Sequence, residues 1–149
     1  MPAKTVEVYG VRETELALAG VAGDVEGVGG PVAEASIATA SELAQLLKAS
    51  AAASPTPVAR RVARSITVRA GRHPTVSIGG AQPVGRDGAP AYLLAWGSEH
   101  GPAADADVNH FAAPRGAGYW IKPATDRVAA QSWETFDLAV AGSIKRHGL

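Results

Sequence analysis

No cysteine occurs in this chain, which excludes a disulfide framework and any thiolate metal site. Aromatic residues make up only 5% of the 149 positions, and the 46% hydrophobic content leans on alanine and valine, so the core is expected to be modest. Long apolar runs are missing too. None approaches the ~18 residues of a membrane span, and the opening MPAKTVEV lacks a stretch of signal-peptide length. The expectation is a soluble protein acting where it is made. At this length one domain is the default, burying about 70% of the unfolded chain's surface.

Net charge is also missing, but only on average. Residues 1–54 sum to −4, residues 55–86 carry six arginines and no acid, and the remainder sums to −2. Such segregation bears on partners and not on fold.

Two helices are expected first. From Val11 the composition is helix-friendly, with Glu13 and Glu15 in the first turn, where carboxylates suit the positive helix end. Gly27, Gly29, Gly30 and Pro31 interrupt it. From Pro31 to Ala53, Ala33, Ile37, Ala40, Ala44, Leu47 and Ala51 recur at amphipathic spacing. Ser54-Pro55-Thr56-Pro57 ends that helix. Ile66, Val68 and Ala70, then Val76 and Ile78, alternate as in a strand hairpin.

Tyr92 to Pro123 is the stretch around which the rest is organised. Tyr92–Trp96 is apolar at every position and is read as a third, doubly covered strand, although periodicity alone does not distinguish it from a buried helix. Gly97–Gly118 is an aperiodic 22-residue loop, and loops that long are uncommon in compact domains unless functional or disordered. Pro123 to about His147 is read as the closing helix, with an apolar stripe of Ala129, Trp133, Phe136, Val140 and Ile144. The fold class is α+β: two N-terminal helices, a three- to four-stranded antiparallel sheet, a long loop, and a C-terminal amphipathic helix packed on the sheet. Trp96, Trp120, Trp133 and Phe136 are the expected core anchors.

Chemistry-bearing residues are sparse. Glu99, His100, Asp105, Asp107 and His110 are of metal-ligand type, but their spacing matches no ligand motif and their loop offers no rigid support. Ser98, His100 and Asp105 lack the elbow that orients a nucleophile. The glycine-rich Gly23–Pro31 stretch has no Lys-Ser/Thr and no strand before it, so it is no phosphate loop. No metal or cofactor is expected, and no catalytic residue. Arg60, Arg61, Arg64, Arg69, Arg72 and Arg86 fall on one supersecondary unit and suit phosphate or an acidic partner. No aromatic stacking residues interleave with them, so sequence-specific DNA reading is not expected, while non-specific contact with passing DNA stays open.

Four pieces in order carry a resemblance: Gly10-Val11 with its helix; VARRVARSITVR; a strand running into AWGSEHG; and NHF…GYWIKPA with a closing amphipathic helix. Together they resemble the tail-component, or head–tail joining, proteins of long-tailed double-stranded-DNA bacteriophages and prophages. The family's serine-bearing segment falls at Ala63-Arg64-Ser65-Ile66, its Gly-x-Glu-x-Gly-like piece at Gly97–Gly101, and its aromatic-Pro-Ala helix start at Tyr119–Ala124. One departure is Ser54-Pro55-Thr56-Pro57-Val58-Ala59, which lacks the glycine of the family's Pro-x-x-Thr-Gly stretch.

The resemblance implies a non-catalytic virion protein of the neck, assembled in the host cytoplasm as a ring of identical copies. Its neighbours would be the head connector or stopper and the tail terminator or tail tube, with DNA passing through the lumen. Glu99, His100, Asp105, Asp107, His110 and Arg115 would then contact partners, and Arg60, Arg61, Arg64, Arg69 and Arg72 would face the lumen or an acidic partner. Two alternatives remain: a tail terminator or other minor tail protein, and a small metal-dependent hydrolase using Glu99, His100, Asp107 and His110.

Overall fold

The computed structural model describes residues 11–27, 29–71, 73–102, 111–113, 116 and 118–149. Asp105, Asp107, His110, Arg115 and Arg72 lie outside them.

The chain is α+β and opens with two helices. Helix α1 spans Val11–Glu26 and α2 spans Pro31–Ala53. Proline in the first turn of α2 forfeits only an N–H that would be unpaired there. The inward face of α2 is Ala33, Ala40, Ala44, Leu47 and Ala51, at the spacing the sequence predicts. Helix α3, Pro57–Val62, follows Thr56 and runs through a 3-10 turn at Ala63–Ser65. It is an element that the sequence pattern does not predict.

Strands β1 (Thr67–Arg69) and β2 (Thr75–Ser77) form the expected antiparallel hairpin, with Val68 opposite Val76. They are the whole sheet among the described residues, so the strand count is lower than predicted. The third strand is in fact a helix: α4 runs Ala91–His100. Pro90 stands at its start in extended geometry, and Gly101 ends it with φ 83°, a conformation that favours glycine.

Helix α5, Ile121–Arg146, packs chiefly along α2 rather than on the sheet. It buries Ala124, Val128 and Ser143. The expected stripe of Ala129, Trp133 and Ile144 faces outward instead, and Trp133 is 74% exposed. The buried residues of α5 are small or medium in size, while Trp133 and Leu138 are left outside. The core gathers at the other end, where Ala44, Leu47 and Ala51 meet Val58, Ala59, Val62, Ile66, Trp120 and Ala124. No described helix is long and apolar enough to cross a membrane.

Candidate functional site: the α4–α5 junction and the surfaces around it

Two motif segments meet where α4 ends and α5 begins. Glu99, only 4% exposed, turns its carboxylate onto the start of α5. Its Oε2 accepts the backbone N–H of Trp120 at 2.8 Å, of Ile121 at 2.7 Å and of Tyr119 at 3.2 Å, while Oε1 accepts that of Lys122 at 2.8 Å. A helix start leaves such donors unpaired, and a carboxylate placed there also meets the positive end of the helix dipole. Residue Trp120 makes no side-chain cap bond of its own. The cap is therefore supplied from another helix.

Ser98 completes the clamp. Its Oγ donates to the Ala95 carbonyl at 2.8 Å and accepts the Trp120 indole N–H at 3.2 Å, so the fully buried indole has its partner. Gly97 leaves room for the Phe111 ring, since a Cβ there would stand 2.5 Å from it. Gly118 has φ +80°, and any Cβ it carried would run into Glu99 Oε1. Both glycines are demanded by close approach.

A second tie joins the ends of β2 and α3. Ser65 Oγ donates to the Val62 carbonyl at 2.6 Å and accepts the Gly79 N–H at 2.8 Å. Three of the four segments behind the resemblance thus contain a side chain fixed inside the fold.

These positions revise several expectations. Glu99 does not offer itself to a partner or a metal, because it is buried and both oxygens already accept backbone donors. His100 is half-buried and stacks against Trp96, ring centroids 4.1 Å apart. Trp96, expected in the core, is 72% exposed, because a helix in place of a strand turns Gly97, Ser98 and Glu99 inward and Tyr92, Leu93 and Trp96 outward. Trp133 is likewise a surface residue, Phe136 is half-buried, and Trp120 alone of the four anchors is fully buried. Among the described residues no three His, Asp or Glu side chains gather to hold a metal ion.

The described arginines differ in exposure. Arg60, Arg64, Arg69 and Arg86 are exposed. Arg61 is half-buried and, with Arg86, edges a groove of about 600 Å³ whose floor includes Val58, Leu94 and Phe111. No sequence signal marked this groove, because its walls come from α3, the loop before α4, α4 itself and the segment after it.

At the far end of the long helices a third junction secures α1. Asp24 accepts the Ser143 hydroxyl at 2.8 Å, lies 3.1 Å from His147 Nε2 and is 3.7 Å from the Arg146 guanidinium. The Ser143 hydrogen bond, aided by His147 and Arg146 and opposed by partial burial, holds its carboxyl below the usual carboxylate range.

Compared with protein-family models, curated proteins and solved structures, the chain matches none.

Proposed function

We propose that this chain is a structural virion protein of a long-tailed phage or prophage. In this reading it is a neck subunit, assembled as a ring between head connector and tail tube and taking no part in catalysis. The observation that carries the reading is the amount of large apolar side chain left outside. Leu16, Leu18, Tyr92, Leu93, Trp96, Trp133 and Leu138 are all exposed, on three different helices. Such surface suits protein–protein contact where it gathers into patches, and a ring subunit needs contacts on several sides: both ring neighbours and the layers above and below.

The order of motifs along the chain supports the same reading, and so does the uneven charge. Arg60, Arg64 and Arg69 are exposed without an acid on their segment and suit non-specific contact with passing DNA phosphates. The test is electron microscopy of the purified protein alongside its solution mass. Closed rings with a central channel wide enough for a duplex support the proposal. A protein that forms no closed ring, alone or with extracts of its producing cell, overturns it.

A further inference from the structure

The two ends of the molecule carry complementary unused surfaces. Gly20 stands against the His147 ring, and Asp24 is bonded to Ser143 and His147. Moving from residue 24 to residue 20 in α1 therefore follows α5 outward to its last turn. Residues before Gly20 continue past that turn, at ~1.5 Å per residue. This half of α1 is left largely uncovered, with Leu16 66% and Leu18 55% exposed. Glu15, Leu18, Ala22 and Val25, spaced by three and four, form one exposed stripe with an acid at its outer end.

At the opposite end, beside the start of α5, lies the arginine-edged groove. Val58, Leu94 and Phe111 make its apolar part, and Arg61, Arg86 and Asp87 its polar part. The projecting half, residues 11–20, carries Glu13 and Glu15 against Arg12, and the groove carries Arg61 and Arg86 against Asp87.

We propose that the projecting half of α1 docks in the groove of a second copy of this chain, Leu18 entering between Leu94 and Phe111 and Glu15 meeting Arg61 or Arg86. The inference rests on the ring reading and gives it an interface. The two patches are different and sit at opposite ends, so the contact is heterologous and propagates from copy to copy. Charge complementarity sets its direction and makes it salt-sensitive. It also divides the arginines: Arg61 and Arg86 serve the neighbouring copy, leaving Arg60, Arg64 and Arg69 for DNA.

The absence of native cysteine makes the test clean. Glu15→Cys and Arg86→Cys placed in one chain and treated with a short bismaleimide should give a ladder of multimers on a denaturing gel, and each single variant should give a dimer at most. Glu15→Arg should weaken association about tenfold or more, and adding Arg61→Glu and Arg86→Glu should restore it. Unchanged melting curves would confirm that each variant is folded. No ladder, or association indifferent to both charge reversals, overturns the pairing. Closed rings without the cross-link would keep the neck reading and remove this interface. A ladder from a protein that never closes into rings would keep the interface and remove the neck reading.

Discussion

The carboxylate of Glu99 and the backbone N–H of Trp120, 21 positions apart, are joined at 2.8 Å, and the bond fixes where the last helix begins. The neighbouring N–H groups of Ile121 and Lys122 bind the same side chain. Removing it strands the buried Trp120 donor and the part-buried Ile121 and Lys122 donors at once. Glu99→Ala should therefore lower unfolding free energy by about 2–4 kcal/mol, measured by urea titration, with Glu99→Gln between it and the parent. A loss no larger than that of an exposed acid such as Glu134→Ala would show that the cap is not formed.

The tryptophans should separate cleanly. Trp120→Ala empties a buried site and strands the Ser98 contact, for a cost of about 3–5 kcal/mol. Trp96→Ala and Trp133→Ala alter surface positions and should stay within about 0.5 kcal/mol of the parent. Thermal melts of the three side by side check this, and a large drop for Trp133→Ala would restore it to the core.

How much of this was legible beforehand depended on where the chain advertises its boundaries. Helix α2 was readable because Pro31 opens it, Ser54–Pro57 closes it and its alanine–leucine stripe faces inward. The hairpin was readable from alternation. Helix α4 was not, because it inverts the usual pattern: its polar Ser98 and Glu99 are buried and its apolar Tyr92, Leu93 and Trp96 face out. A segment apolar from 92 to 96 gives no period with which to choose, and the target of Glu99 lies 20 or more positions away. The same inversion applies to α5, where Ala124, Val128 and Ser143 are buried while Trp133 and Leu138 face out. Inward polar and outward apolar residues are the pattern expected when part of the hydrophobic surface is reserved for other molecules.

Thr56 offers a prediction of opposite sign. It is fully buried at the start of α3, and its hydroxyl oxygen has no hydrogen-bond partner. Thr56→Val keeps the shape and removes the unpaired group, so the melting temperature should hold or rise, by up to about 1–2 kcal/mol in stability. A clear drop would mean that the hydroxyl is bonded.

Acid should loosen α1 from α5. The carboxyl of Asp24 is held below its ordinary range by Ser143, His147 and Arg146, so the unfolded chain takes up this proton first as pH falls. Its stabilising contribution is thus complete above the unfolded value of about 3.9 and is lost as pH drops through the lower folded value. Asp24→Asn should be less stable than the parent at neutral pH, with the gap closing as pH falls below the ordinary carboxylate range. A gap independent of pH would remove the ionised carboxylate from the account.

The mass of the purified protein in solution is the measurement that bears most directly on the whole account. Light scattering at low and moderate salt, with and without duplex DNA, should give one ring-sized species that sheds subunits as salt rises and appears as closed rings in micrographs. A monomer at every concentration and salt, indifferent to DNA and to its cellular neighbours, would contradict it.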